Sequence, residues 1–319
     1  MKRRFVLSLS GGVALGAAMP AFAQTHRVMR VGLLGGYATP MDEAALRLAL
    51  SQHGWEVGRN LIIEYRYARD DIKRYPSLAK ELVDLRVDLI MANGDFAAAA
   101  AFNATRSIPI VAIATDPVEQ GLAQSLARPG GNVTGMVYQV QDYAGKELDI
   151  LRAIQPGLKR MGIVFVDSFP FRPWIAGWQA AADKTGVTMV KLPWPPRVSD
   201  IDVTLAVARR ERVQAVEFGL NPALIGAGWQ QINAWAIENK VLTKGSARSE
   251  AAVAFGANAS NMLSQFAVQV DRLLRGANPA EMPIQQPTLF DLIINRKIVH
   301  AIGLTVPRSV LVQATEVID

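Results

Sequence analysis

Short apolar segments alternate with amphipathic, helix-like segments along most of this chain. In the first half, the predicted strands cover about residues 28–34, 61–67, 87–91 and 108–113. Helical patterns of about 10–15 residues between such strands are typical of βαβ units, in which a helix crosses back over a parallel sheet. The alternation therefore predicts an α/β fold built on a parallel sheet.

The same alternation starts again after about residue 144. The predicted strands of this second half cover about residues 160–166, 187–192, 213–218 and 241–244. Two α/β halves, joined near residues 138–144, fit the two domains expected for about 296 residues. A tail from about residue 258 adds a long amphipathic helix, a late strand and a short helix. We expect this tail to pack on the existing halves, with more than one chain crossing between them.

The amino terminus has the pattern of an export signal. Residues 2–4 are basic, residues 5–19 are apolar, and residues 21–23 have the small–x–small form of a cleavage site. Residues 1–23 are predicted to be removed after Ala23, which places the mature chain outside the cytoplasm. The segment Arg3–Leu7 also fits a loose twin-arginine pattern, so Sec and Tat export both stay open. An uncleaved anchor is the minor alternative, because the apolar stretch is short for a membrane span.

Composition excludes several classes of protein. Without the three basic residues of the signal, 31 basic residues face 28 acidic ones, and no Lys/Arg block follows that could track a phosphate backbone. We therefore expect no nucleic-acid partner. The chain has no cysteine, which excludes disulfides, a Cys-ligated metal and a lipoprotein anchor. His26, His53 and His300 lie in no metal-ligand spacing, so we expect no metal site.

The candidate binding residues follow from the predicted strand ends. Ligands of open parallel sheets bind outside the carboxyl ends of the strands, where loops lead into helix amino termini. If the two halves face each other, six such loops converge on one cleft. The candidate ligand-binding residues in and beside them are Gly36, Tyr37, Thr39, Asn93, Asp95, Thr115, Asp116, Phe171, Asn221 and Ser246.

Several of these residues have two interpretations. Asp95 is either a helix N-cap or a carboxylate that receives a ligand ammonium, and Asp116 either contacts the cleft or caps a turn. Aromatic residues near the strand ends, with Tyr37 and Phe171 as the best candidates, either stack on a planar ligand or belong to the core. Arg172 and Arg248 either pair with an acidic ligand group or are solvated.

A string of residues after the fourth predicted strand resembles the signature of a known family. Asp116-Pro117-Val118, then Gly121-Leu122, then Pro129-Gly130-Gly131-Asn132-Val133-Thr134-Gly135 are similar to a motif of periplasmic substrate-binding proteins of ABC transporters. That family includes tryptophan- and tyrosine-binding members. Weaker matches in Gly54–Asn60, Ile63–Arg66, Ile108–Val111 and the tail extend the resemblance over essentially the whole mature chain.

The resemblance implies a type I, venus-flytrap fold of two lobes, each a parallel-sheet α/β/α sandwich, with three crossings between them. The implied first lobe is 24–140 plus about 258–284, and the second is 141–257 plus about 285–319. It also implies capture of a small molecule, such as an aromatic or other amino acid, by hinge closure and its delivery to an inner-membrane ABC permease. A monomeric periplasmic protein without catalysis or cofactor is expected.

Two observations keep alternatives open. Many family members have a Thr or Ser after the glycine that follows the third strand, whereas this chain has Asn93-Gly94-Asp95. An aspartate there would repel a ligand carboxylate, so the ligand could instead be an amine, a neutral heterocycle or another small metabolite. A sensory protein that presents its ligand to a receptor is the alternative function. An exported α/β enzyme is disfavoured, since neither Gly-x-Ser-x-Gly nor a phosphate-binding loop is present.

Overall fold

Two separate β-sheets, each covered by helices on both faces, organise the protein. The structure is a computed structural model that describes residues 27–37, 40–69, 71–137, 143–165, 172–195, 198–218, 227–247 and 249–319. The predicted α/β class with two halves is confirmed. One antiparallel pairing in the second sheet departs from the expected all-parallel arrangement.

The first sheet is wholly parallel in the described part of the chain. Its strands are β1 (Met29–Gly35), β2 (Leu61–Tyr67), β3 (Leu89–Asn93), β4 (Ile110–Ala114) and β5 (Val133–Val137). They lie in the order β2-β1-β3-β4-β5, so β1, β3 and β4 are direct neighbours. The intervening helices are α1 (Pro40–Ser51), α2 (Tyr75–Asp84) and α3 (Asp95–Ala104).

The second sheet is larger. Its strands are β6 (Arg160–Phe165), β7 (Thr188–Pro193), β8 (Ala215–Glu217), β9 (Leu242–Gly245), β10 (Val253–Ala257), β11 (Phe290–Asn295) and β12 (Glu316–Ile318). Their order is β12-β11-β10-β9-β8-β6-β7, and the pairing of β10 with β11 is antiparallel. The remaining helices are α4 (Tyr143–Ile154), α5 (Arg172–Thr185), α6 (Ile201–Arg210), α7 (Ala227–Asn239), α8 (Ala259–Leu274), α9 (Arg296–Ala301) and α10 (Arg308–Leu311).

Strand β3 shows why these sequences form a layered core. Its successive side chains point to opposite faces, and both faces are apolar. Leu89 and Met91 pack with α1 and α8, whereas Ile90 and Ala92 pack with α2 and α3. The second sheet is layered in the same way, with α4 and α5 on one face and α6 and α7 on the other. Each sheet therefore has its own hydrophobic core.

The chain passes between the two sheets three times. It leaves the carboxyl end of β5 at Val137 and enters the second core with α4. It returns from the carboxyl end of β10 into α8, whose N-cap residue Asn258 accepts a hydrogen bond from the Asn261 backbone N–H at 2.8 Å. The third passage starts beside β5, where the Val137 N–H donates to the Gln285 carbonyl at 2.8 Å, and leads into β11.

All three crossings lie at the same end of the sheets. β5 and β10 both cross at their carboxyl ends, and the antiparallel β11 begins opposite the end of β10, with Phe290 paired to Ala257. The amide of Asn258 donates to the Asp291 carboxylate at 2.8 Å and ties two of the crossings together. The carboxyl ends of the parallel strands in both sheets therefore lie on the side of the connecting segments.

Three short elements were not predicted from the sequence: β10, α10 and β12. The helix predicted from Ile72 begins as a 3-10 turn over Ile72–Arg74, which Asp71 caps by accepting a hydrogen bond from the Lys73 N–H at 3.0 Å. The other predicted helices and strands are present in the described ranges, and their described ends differ by a few residues. The sequence predicts α7 from Asn221, and residues 219–226 lie outside the described part of the chain. β5 is an edge strand of the first sheet.

Candidate functional site

The carboxyl ends of β1, β3 and β4 bring together most of the candidate residues of the first half. Gly36 and Tyr37 follow β1, Asn93 ends β3, and Thr115 follows β4. Because these three strands are neighbours, their end loops share one edge of the sheet. The Gly94 N–H donates to the Ile113 carbonyl at 2.9 Å and joins two of the loops.

Asp95 is the centre of a hydrogen-bonded cluster at this edge. Its Oδ1 accepts from the Thr115 backbone N–H at 2.8 Å, and its Oδ2 accepts from the Thr115 hydroxyl, also at 2.8 Å. The Gln120 amide nitrogen donates to the same carboxylate. Gly94, with φ of 98°, occupies the N-cap of α3, so the interpretation of Asp95 as the N-cap is wrong. The carboxylate instead fixes the loop that follows β4.

Asp116 caps the turn that follows β4. Its Oδ1 accepts from the Val118 N–H at 3.2 Å and from the Glu119 N–H at 3.0 Å. This geometry is the capping role that was one of its two predicted interpretations. Asp116 is also only half-buried, and it lies one residue from Thr115 at the same sheet edge.

An aromatic surface adjoins the polar cluster. Phe96, which follows Asp95, is 36% exposed and stacks on Tyr75, with ring centroids 6.2 Å apart and planes inclined by 28°. A Cβ on Gly36 would lie 3.3 Å from the Tyr75 hydroxyl, so the loop after β1 lies directly against this ring. Tyr37 is 45% exposed. The edge therefore combines a carboxylate cluster with an exposed aromatic face.

Two residues of this edge were missed from the sequence. Tyr75 begins α2, eight residues after the end of β2, and only the packing of α2 shows that its ring reaches this edge. Gln120 lies four residues after Asp116 in the turn of the motif, and its spacing alone gave no sign of a contact with α3. Asn93, by contrast, is exposed at the predicted place.

The second half is only partly described at the corresponding edge. The candidates Thr39 in the first half and Phe171 and Asn221 in the second lie outside the described residues, as does Arg248. Ser246 follows β9, where its carbonyl accepts a hydrogen bond from the Ser249 N–H at 2.8 Å. Ser246 is thus at a strand end, as predicted. Arg172 begins α5 and is exposed.

A buried charged cluster lies at the ends of β8 and β9 in the second half. The Lys244 ammonium is 2.8 Å from Glu217 Oε2 and 3.0 Å from Glu147 Oε1, and the side chains are 4%, 1% and 6% exposed, respectively. Lys244 Nζ also lies 5.6 Å from the centre of the Trp178 ring. Burial raises the pKa of Glu147, and attraction to Lys244 opposes this in part. The sequence analysis did not predict this cluster.

Two surface pockets of the described residues, of about 290 and 560 Å³, include none of the candidate residues. The smaller pocket lies beside β11 and β12, with Asn233, Asn295 and Glu316 in its wall. Across the described ranges, no group of three or more His, Asp or Glu side chains is placed to hold a metal ion. None of the helices described here combines the length and apolar character needed to cross a bilayer.

Comparisons with known proteins match this chain to substrate-binding proteins. A family model described as "ABC transporter substrate binding protein" matches residues 41–318. A curated protein of Clostridioides difficile, named "Tyrosine-binding protein", is 39% identical over 120 residues. That match covers 37% of this chain and 34% of the curated protein, so it spans about a third of the relative's length.

Two solved structures resemble the whole fold. A conserved domain protein of Vibrio cholerae has a TM-score of 0.80 and 24% identity, covering 91% of this chain and 100% of that one. A domain from Streptococcus pneumoniae, solved in complex with L-Trp, has a TM-score of 0.82 and 23% identity, covering 91% and 99%. At identities of 23–24%, these two matches show that the fold is shared and carry no argument about the ligand.

Proposed function

Because this chain belongs to the family of ABC transporter substrate-binding proteins, we propose that it captures a small molecule between two lobes and delivers it to a membrane permease. The proposed first lobe is 24–140 plus about 258–284, and the second is 141–257 plus about 285–319. Closure of the lobes about the three crossings would bury the ligand. A ligand with higher affinity for the closed form would shift the population towards that form.

The position of the three crossings carries this proposal. The connecting segments lie at the carboxyl ends of β5 and β10 and at the start of β11. Ligands of parallel sheets bind at carboxyl ends, and here both sheets turn those ends towards the segments that join them. A molecule bound at one edge would therefore lie in reach of the other sheet.

We propose that the ligand contacts come from the candidate residues at these edges. The proposed set is Gly36, Tyr37, Thr39, Asn93, Asp95, Thr115, Asp116, Phe171, Asn221 and Ser246. The exposed face of Phe96 and the ring of Tyr37 offer stacking area to a planar ligand group. The tyrosine-binding relative supports an aromatic amino acid or a related heterocycle.

The cellular role follows from the same family. We propose that the chain is exported by its amino-terminal signal, works in the periplasm as a monomer and meets a permease of the inner membrane. Binding and release of an unchanged ligand, without a cofactor, is the proposed activity. Recovery of each compound unaltered after incubation, measured by mass spectrometry, separates this activity from catalysis.

A thermal-shift screen tests the binding role. We expect residues 24–319 to melt at a higher temperature with at least one amino acid, nucleobase or small organic acid, because binding to the native state alone stabilises it. A ligand at a hundred times its Kd adds about 2.7 kcal/mol, which corresponds to a Tm increase of several degrees. Failure of every compound in the screen to raise the Tm would contradict the binding role.

Matched variants locate the site. Asn93→Ala removes an exposed amide from the end of β3, whereas Asn103→Ala removes one from the last turn of α3. We expect only Asn93→Ala to reduce the Tm increase produced by the best compound. Equal behaviour of the two variants would exclude Asn93 from the site.

A further inference from the structure

Resting on the binding role proposed above, we propose that the cluster of Asp95, Thr115 and Gln120 selects a ligand group that donates hydrogen bonds, specifically a primary ammonium on an aromatic body, and rejects a carboxylate. The inference comes from the direction of the hydrogen bonds within the cluster. It names the chemical class of the ligand and the residues that choose it.

Most of the donors of the cluster are engaged with Asp95, and one proton of the Gln120 amide is left over. The Thr115 hydroxyl has a single proton, and it donates that proton to Asp95 Oδ2. The Thr115 backbone N–H donates to Oδ1, and the Gln120 amide nitrogen is also turned to the carboxylate. The Thr115 hydroxyl oxygen and the Gln120 carbonyl oxygen are left as acceptors for a ligand. A group that approaches this edge therefore meets mainly lone pairs.

The charge of the cluster favours the same class of ligand. Asp95 is half-buried, and no Lys, Arg or His among the described residues forms an ion pair with it. An ammonium would provide that opposite charge and up to three hydrogen-bond donors. A ligand carboxylate would instead meet the like charge of Asp95. Asp95 also lies in the first turn of α3, where its negative charge offsets the positive amino-terminal end of the helix.

The aromatic face next to the cluster defines the rest of the ligand. Phe96 directly follows Asp95, and its exposed ring is supported from behind by Tyr75. A planar group can stack on this ring while an attached ammonium reaches Asp95. Stacking of the ligand ring on Phe96 and contact of the ligand ammonium with an aromatic ring would both contribute to the binding affinity.

Two pairs of compounds test the preference by isothermal titration calorimetry. Tyramine and tryptamine keep the amine of tyrosine and tryptophan and lack the carboxylate. The corresponding arylpropionic acids, 3-(4-hydroxyphenyl)propionate and indole-3-propionate, keep the carboxylate and lack the amine. We expect the acids to bind at least about tenfold more weakly than the amines, because an acid brings a like charge to Asp95 and supplies no opposite charge.

Two results would overturn the inference: acids that bind as tightly as the amines, or amines that do not bind at all. Neither result affects the binding role, which the broad screen tests with compounds of other classes. An absence of binding in that screen would contradict the role itself. The two failures are therefore distinguishable.

Variants separate charge recognition from a structural role of Asp95. Asp95→Asn keeps the shape and removes the charge, so we expect it to weaken binding of the amines and to narrow the gap to the acids. A purely structural effect would weaken all the compounds alike and would exclude Asp95 as the selecting group. Asp84→Asn is the matched control, because Asp84 forms an exposed pair with Lys80 on α2; it should leave every affinity unchanged.

Discussion

Glu147, Lys244 and Glu217 place two carboxylates and one ammonium in a nearly solvent-free environment. One ammonium cannot neutralise two ionised carboxylates, and an uncompensated buried charge is costly. The raised pKa of Glu147, caused mainly by burial, relieves this imbalance because the carboxyl keeps its proton to a higher pH than an exposed glutamate. The cluster joins α4, the first helix after the chain crosses, to the ends of β8 and β9.

The protonation of Glu147 makes stability depend on pH in a defined direction. Above the unfolded value of 4.5 the unfolded state loses its proton first, so the folded protein binds more protons and its stability falls as pH rises through the raised pKa. Glu147→Gln cannot lose a proton. We therefore expect the free energy of unfolding of this variant, measured with urea, to gain on that of wild type as pH rises from 4.5 through the raised pKa. The total gain should be about 1.4 kcal/mol for each unit by which the pKa of Glu147 is raised.

A matched variant controls for general pH effects. Glu238→Gln alters a glutamate of the same half that is 75% exposed and pairs with Arg209. Its stability should follow the wild-type curve at every pH. Parallel curves for wild type and Glu147→Gln would show that Glu147 titrates normally.

Residues of the candidate site differ in how well the sequence predicted them. Gly36, Asn93 and Thr115 were placed at one edge from strand ends alone, because the carboxyl ends of parallel strands share an edge. Tyr75 and Gln120 reach that edge through packing between distant segments. The partners of Lys244 lie 27 and 97 positions away in the chain. No local pattern marks such contacts.

At the scale of elements, the motif that carries the family resemblance has a structural function. Asn132 donates from its amide to the Ile108 carbonyl at 2.8 Å, which connects the start of β5 to the segment before β4. The Thr134 hydroxyl donates to the Met282 carbonyl at 2.7 Å and holds the tail. Gly135 allows β5 to approach Ala112 closely. These contacts fix the edge strand from which the chain crosses.

Gly135→Ala should be strongly destabilising. The added Cβ would lie 2.0 Å from the Ala112 carbonyl oxygen, and the backbone at this position has φ of 134°, which side chains rarely adopt. We expect a loss of about 2–5 kcal/mol in the free energy of unfolding, from strain and overpacking together. Urea unfolding measures this loss of stability. A variant that does not accumulate as folded protein would indicate a loss at or above the upper end of this range.

Gly131→Ala is the control within the same motif. No heavy atom lies within 4 Å of a Cβ built at Gly131, and its φ lies outside the positive region. Its stability should remain close to wild type. Equal effects of the two substitutions would show that close backbone approach is not the reason for the glycine at position 135.

The strands that the sequence did not predict were missed for different physical reasons. β10 follows β9 after only residues 246–252, whereas parallel neighbours usually need a longer, helical connection, so the strand–helix alternation gave no signal. All three residues of β12 are exposed, which leaves no apolar periodicity. The antiparallel entry of β11 depends on where the third crossing ends, and this is a property of the assembled molecule.

At the scale of the whole molecule, the two cores are separate and the chain joins them through three segments at one end. Such an arrangement permits rotation of one half against the other with little loss of packing inside either half. Strand–helix alternation predicted the two halves. The relative position of their candidate edges depends on long-range contacts such as that between Asn258 and Asp291, which sequence periodicity does not encode.

Ligand-induced closure can be measured directly because the chain contains no cysteine. Spin labels on Ser77→Cys and Lys184→Cys mark exposed helix positions in different halves, and labels on Ser77→Cys and Asn103→Cys mark two positions in the first half. We expect the compound with the largest Tm increase to shift and narrow the distance distribution of the label pair that spans the two halves. The distribution of the pair inside the first half should not change. The reason is that a ligand that touches both edges binds the closed form more tightly. Double electron–electron resonance reports both distributions. If the distribution between halves stays the same at saturation, the ligand binds to one half and the two-lobed capture mechanism is wrong for this protein.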